Sequence, residues 1–224
     1  MKVSIIIPTL NEKINLAKTL PHLEKMEDKE IIIVDGGSTD NTASVAKRYA
    51  DKLLLSCQDR GIQMNTAAHN AEGDMLLFLH ADSELSTDGY NKLLEASEVR
   101  GIAGGAFYLT IDSKRFLLKF ISLAANLRSK LFRIAYGDQG IFVRRDIFIK
   151  IGGFNNLPLF EDADLFRRLK REGEVIFIKS ILTSARRWDG EGALYTTFRN
   201  MILASFYFLG FSPQTLIRWY PNVR

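Results

Sequence analysis

A single cysteine, Cys57, stands in 224 residues. The chain therefore forms no internal disulfide and offers no thiolate cluster to a metal. That usage suits a reducing compartment, and the expectation is a cytoplasmic protein. The opening Met1-Lys2-Val3-Ser4-Ile5 enters a strand-like run without the apolar core and cleavage site of a secretory leader. Long apolar runs are also missing. The longest late one, Met201 to Phe211, is interrupted by Ser205 and Gly210 and falls short of the roughly 20 residues of a spanning helix. Neither sign of charge dominates: 30 Lys and Arg against 26 Asp and Glu leave a net +4, a mild bias toward anionic ligands or lipid. The basic residues are scattered and form no basic-aromatic module, which argues against a nucleic-acid partner. Repeats and low-complexity linkers are absent, so one domain is expected.

Glycine is sparse where nucleotide-binding folds commonly need it. After the first apolar run comes Thr9-Leu10-Asn11-Glu12, not G-x-G-x-x-G, and G-x-x-x-x-G-K-[ST] occurs nowhere. A dinucleotide fingerprint and a P-loop are excluded on that ground.

What is present is alternation. Residues 3–7, 31–34, 52–56 and 75–79 read as buried strands, the first closed by Pro8. Residues 12–26, 45–49 and 60–71 read as helices, with Pro21 breaking or kinking the first. Strands separated by helices predict a mainly parallel sheet covered on both faces. The second half is less regular, with strands over 104–111, 140–143 and 175–178 and helices over 114–132, 162–171 and 194–209. The expected architecture is an α/β single domain of two lobes, residues 1–100 and 101–190, followed by an apolar helical segment over 191–224.

In open parallel sheets ligands bind beyond the strands' C-terminal ends. Three candidate groups fall there: Pro8 to Glu12, Asp35 to Asp40, and His80-Ala81-Asp82. The His-x-Asp spacing places both side chains on one side of an extended chain. Carboxylates at such ends suit either hydrogen bonding to a base or ribose, or a hard divalent cation that neutralises a diphosphate. Turn and cap duties explain each group equally well on its own. In "FEDADLFRRLKREG", residues 160–173, Glu161, Asp162 and Asp164 crowd a helix N-terminus. A capped surface helix explains them. So does a general base, since crowding makes one carboxyl hold its proton more tightly.

Together, "SIIIPTLNE", "IIIVDGGSTDNT", "LLFLHADS" and "FEDADLFRRLKREG" resemble, in order and rough spacing, the motifs of family 2 glycosyltransferases, an inverting group with the GT-A fold, a Rossmann-related sandwich. The late "TSARRW" is similar to a segment of small soluble bacterial members. The resemblance implies transfer of a sugar from a nucleotide diphosphate sugar, most simply a UDP-sugar, to an acceptor hydroxyl, with Mn2+ or Mg2+ as cofactor. By the same resemblance Pro8, Thr9, Asn11, Glu12, Asp35, Gly37, Arg60 and His80 contact the nucleotide, and Asp82 binds the metal. Asp162, with Glu161, supplies the catalytic base. Gly137, Asp138, Gln139, Arg186, Arg187 and Trp188 lie near the diphosphate or the acceptor. One departure stands out: His80 occupies the first aspartate of the family's Asp-x-Asp, where it takes over a ribose hydrogen bond or ligates the metal.

Two rival readings use the same strand ends. A sugar nucleotidyltransferase needs a Gly-rich, Arg- or Lys-bearing loop after the first strand, which Pro8 to Glu12 is not. A non-catalytic nucleotide-sugar binding or membrane-docking protein draws its support from His80. The apolar C-terminal segment has three uses: packing on the catalytic lobe, a homodimer interface, or peripheral contact with the inner membrane face that brings the enzyme to a lipid-linked acceptor.

Overall fold

The computed structural model describes residues 1–220, apart from the side chains of Ser180 and Arg187. The strands are β1 (Val3–Thr9), β2 (Lys29–Asp35), β3 (Lys52–Leu55), β4 (Met75–Phe78), β5 (Ser83–Leu85), β6 (Ile102–Asp112), β7 (Ile141–Arg144) and β8 (Glu174–Ser184). The first-half helices are α1 (Lys13–Leu23), α2 (Thr42–Ala46), α3 (Arg60–Asn70) and α4 (Thr87–Glu98). The second-half helices are α5 (Phe116–Phe132), α6 (Arg145–Lys150), α7 (Glu161–Leu169), α8 (Arg186–Glu191), α9 (Ala193–Phe208) and α10 (Pro213–Leu216).

One sheet carries the strands in the order β3-β2-β1-β4-β7-β6-β8-β5. β3, β2, β1 and β4 are parallel. β7 runs against both β4 and β6, β6 and β8 are parallel, and β5 closes the edge antiparallel to β8. The apolar runs follow from burial on both faces. Ile5, Ile7, Ile31, Ile33 and Leu77 face α1 and α4, packing on Leu16, Leu20, Tyr90 and Leu93. Ile6, Ile32, Val34, Leu76 and Phe78 face the other way, onto Met64 and Ala67 of α3 and Leu165 and Phe166 of α7.

The first half follows the sequence expectation closely. β1 runs past Pro8, which stays in register with Val34, and Pro21 is accommodated near the end of α1. The second half departs further. The strand expected over 175–178 is the eleven-residue β8, because its later part pairs with both β5 and β6. The sequence reading had no counterpart for β5, α4, α6 or α8.

β6 is hemmed in at Gly104 and Gly105. A Cβ on Gly105 would lie 2.1 Å from the Ile176 carbonyl oxygen and 2.6 Å from the Phe142 ring. The neighbours are sheet backbone and a packed aromatic, which cannot swing aside. Gly105→Ala should lower the unfolding free energy by about 1–3 kcal/mol, read from the urea midpoint at unchanged slope; an unshifted midpoint would show that β6 is not confined between β7 and β8.

Candidate active site

The C-terminal ends of β1 and β4, the start of α3, the loop before β7, the start of α7 and the segment from β8 to α9 enclose a cavity of about 860 Å³. That is ample for a nucleotide-sized ligand. Its walls carry Thr9, Glu12, Arg60, His80, Asp82, Gly137, Glu161, Asp162, Arg186 and Trp188.

Each group arrives for a local reason. Asp59 caps α3 by accepting from the Ile62 amide at 2.9 Å, which sets Arg60 on the helix's first turn. The Gln63 amide on the next turn donates to the Thr9 and Val34 carbonyls at 3.2 and 3.1 Å, tying α3 to the ends of β1 and β2. The Arg60 guanidinium reaches Nε2 of His80. The two side chains thus meet on the cavity wall beside Gly137. From the other side Arg186 pairs with Glu12 at 3.2 Å and with Asp82 at 3.4 Å. Glu12 is buried, and Arg186 supplies it with a charge partner there.

The start of α7 supplies the remaining carboxylates, and they separate by environment. Asp164 is buried and turned away from the cavity. It binds Arg167, Arg168 and Asn155 at 2.7 to 2.9 Å. Burial alone would raise its carboxyl; the two arginines and Asn155 outweigh that and hold it below the ordinary value. Arg168 in turn donates to the Ile151 and Gly153 carbonyls, fixing α7 on the turn before it. Asp162 faces the cavity, where its Oδ2 accepts the Gly137 amide at 2.5 Å. Glu161 is buried beside it, with Arg60 3.8 Å away. Burial, then the Asp162 charge, push Glu161 up to about 7 against the pull of Arg60. Phe160, at φ 66°, turns the chain into α7 and stacks on Tyr207 of α9 at 4.7 Å.

The cavity unites Pro8, Thr9, Glu12, Arg60, His80, Asp82, Gly137, Asp138, Glu161, Asp162, Arg186 and Trp188, all expected from the sequence. Four expected residues lie outside its lining. Asn11, at φ 55°, joins the first two strand-end loops, accepting the Thr39 amide at 2.9 Å. Asp35 is buried and folds onto its own turn, accepting the Gly37 and Ser38 amides at 3.2 and 2.9 Å, so Gly37 serves that turn as well. Gln139 is fully buried, donating to the Phe107 carbonyl at 3.1 Å and accepting from Arg128 at 2.9 Å. The Arg187 side chain lies outside the described residues. The sequence reading missed Gln63, Leu157, Phe160, Asn200, Leu203 and Tyr220. Gln63 alone carried a signal, as a polar residue on the inner face of a sheet-covering helix.

Among the described residues no three His, Cys, Asp or Glu side chains gather as a closed metal cage. The cavity-facing Asp82 carboxylate would hold a hard cation together with substrate phosphates, the mode magnesium favours, in exchange for its 3.4 Å contact with Arg186.

The chain belongs to glycosyl transferase family 2, whose model matches residues 4–152. It is 26% identical over 217 residues to the probable glycosyltransferase YdaM of Bacillus subtilis, covering 85% of this chain and 51% of that protein. It is 32% identical over 165 residues to a PGL/p-HBAD biosynthesis glycosyltransferase of Mycobacterium bovis, covering 68% and 62%. The chain thus spans about half to three fifths of these relatives' length. Its fold is similar to that of Staphylococcus aureus TarS, with TM-score 0.67 at 16% identity over 98% of this chain and 69% of that one. It is also similar to the mannosyltransferase PcManGT of Pyrobaculum calidifontis in complex with GDP-Man and Mn2+, with TM-score 0.64 at 19% identity over 82% and 56%. The α/β sandwich with its mainly parallel sheet is therefore the GT-A-like fold expected from the sequence.

Glu161 gives the site a pH signature. In the unfolded chain its carboxyl titrates near 4.5, and in the folded protein at about 7. Between those values the folded state keeps a proton that the unfolded state has released. Its burial therefore costs stability increasingly as pH rises through that window, and fully above it. Glu161→Gln, neutral throughout, should match the wild type at about pH 4 and unfold at higher urea at about pH 8. A gap between the two proteins that does not change with pH would contradict the assignment.

Proposed function

We propose that the protein transfers a sugar from a nucleoside diphosphate sugar to an acceptor hydroxyl with inversion at the anomeric carbon. The observation that carries this reading is the placing of Asp162, Arg60, His80, Asp82 and Arg186 around one cavity at the strand ends. Family membership and the donors bound by fold neighbours support it: UDP-GlcNAc in TarS and GDP-Man in PcManGT. Those two donors differ in base and sugar and share a diphosphate, so the diphosphate defines the donor class.

The residues divide the work by charge. Arg186 and Arg60 offer fixed positive charge to a leaving diphosphate, where negative charge grows in the transition state. Asp82 would hold a divalent cation against the same phosphates, and such an ion supplies further neutralisation there. Asp162 accepts the acceptor's proton as the hydroxyl attacks. Glu161, protonated up to about pH 7, spares Asp162 a second negative charge at its side. Tyr136, whose burial pushes its hydroxyl up to about 12, stays a hydrogen-bond donor on the cavity wall. Phe160 and Trp188 offer aromatic faces suited to a sugar or an apolar acceptor group.

Asp162→Asn keeps the side chain's shape and loses its basicity. It should bind donor as the wild type does and transfer about 10²-fold more slowly or worse. Transfer at the wild-type rate would move the base elsewhere. Asp82→Ala should abolish the part of nucleoside diphosphate affinity that depends on Mn2+, measured by thermal shift with and without the ion; unchanged metal dependence in a folded variant would remove Asp82 from that role.

A further inference from the structure

α5 and α9 are built inside out. A helix on a soluble domain normally turns its apolar stripe inward. α5 turns polar and small side chains inward instead. Asn126 both donates to the Leu109 carbonyl and accepts its amide at 2.8 Å, and Ser122 accepts the Ile111 amide at 3.1 Å. The reason lies in the sheet. β7 pairs with β6 only over Gly104 to Ala106, so the later part of β6 has no strand on that side. Side chains of α5 satisfy its backbone there. The apolar residues are left outside. Phe116, Phe120, Leu123, Leu127 and Leu131 recur at four, three, four and four residues, forming one stripe whose members are 54 to 83% exposed.

α9 packs beside α5 and repeats the inversion. Its inner side carries Thr196 and a buried Arg199 paired with Glu191 at 2.7 Å. Its outer side exposes Leu194, Tyr195, Phe198, Met201 and Leu209. Isolated exposed apolar residues are ordinary, but two adjacent helices exposing continuous faces mark an interaction surface.

The charges decide the occupant. Residues 113–137 and 192–220 contain eight Lys and Arg and no Asp or Glu. Lys114, Lys119, Lys130 and Arg218 stand exposed around the apolar faces. In a two-fold dimer the same patch meets itself, so these cations would meet cations, while the carboxylates beside the two helices, Asp189 and Glu191, are already engaged by Arg115 and Arg199 at 2.8 and 2.7 Å. An anionic bilayer complements both features, burying the apolar stripe at the acyl boundary and pairing the cations with headgroups.

We infer that the α5–α9 face is a docking surface for an anionic lipid membrane. Among the described residues no helix is long and apolar enough to cross a bilayer, so the chain's contact there is interfacial. α9 also lends Asn200 and Leu203 to the cavity wall, which puts the cavity about one helix diameter, ~10 Å, from the docked face. That arrangement suits an acceptor anchored in the bilayer with its hydroxyl at headgroup level, a consequence that rests on the transfer reading, whereas docking itself does not.

The test is co-sedimentation of the full chain with phosphatidylcholine vesicles, with and without phosphatidylglycerol. Binding should require phosphatidylglycerol and weaken as salt rises. Both Phe120→Glu with Leu127→Glu, and Lys119→Glu with Lys130→Glu, should cut partitioning about tenfold or more. These side chains are exposed, so the melting temperature should hold in both variants. Wild-type protein that ignores phosphatidylglycerol vesicles at low salt overturns the proposal, as does binding that neither variant weakens. A dimer in solution that the Phe120→Glu, Leu127→Glu variant dissolves, without vesicle binding by the wild type, assigns the face to a second copy instead. Lost transfer with intact vesicle binding would count against the enzymatic reading alone.

Discussion

The site depends on a bare backbone at Gly137. Three elements converge on that residue: the start of α3 with Arg60, the end of β4 with His80, and the start of α7 with Asp162. A Cβ there would lie 2.3 Å from the Arg60 guanidinium, 2.9 Å from His80 Nε2 and 3.2 Å from Asp162 Oδ2. The amide of the same residue donates to Asp162. The parallel half of the sheet delivers Arg60 and His80, and the irregular half delivers Asp162. A side chain at this position would displace the Arg60 and His80 ends that meet there. The carboxylates then sort themselves by surroundings. Asp164 is neutralised by arginines inside the protein, Glu161 retains its proton through burial, and Asp162 faces the cavity.

The second half repeats one solution at two scales. β6 outruns β7, and side chains from α5 and Gln139 complete its hydrogen bonds. α9 likewise spends its inner face on Arg199, Glu191 and the cavity wall. Helices that turn polar groups inward must place their apolar residues outside. The exposed face of α5 and α9 is thus a consequence of how the sheet edge and the cavity are finished.

The parallel half was legible because its signal is local. Runs such as Ile5-Ile6-Ile7 and Ile31-Ile32-Ile33 are buried on both faces, and their ends point to the sheet edge where the cavity lies. The second half was less legible because its signal is in pairing. Nothing in Lys179 or Ser180 announces that β8 continues to Ser184; the continuation is set by β5 and β6 on either side. The site divides the same way. Glu12, His80 and Asp82 stood out by their place at strand ends and Asp162 by its crowded helix start, whereas Arg60 came only through the resemblance to family 2 glycosyltransferases. Asp35 looked equivalent to them, but two amides of its own turn draw it inward. Leu203 and Tyr220 reach the cavity from a segment that read only as apolar.

Calorimetric titration of a nucleoside diphosphate sugar into the wild type and Gly137→Ala tests whether the cavity around Gly137 is the donor site. The added methyl meets the ends of flexible side chains, so the fold should persist with a near-normal urea midpoint. Arg60 and His80 must move, and donor affinity should fall about tenfold or more, as displacement of positioned groups does. Undiminished affinity in a folded Gly137→Ala protein would contradict the assignment of this cavity as the donor site.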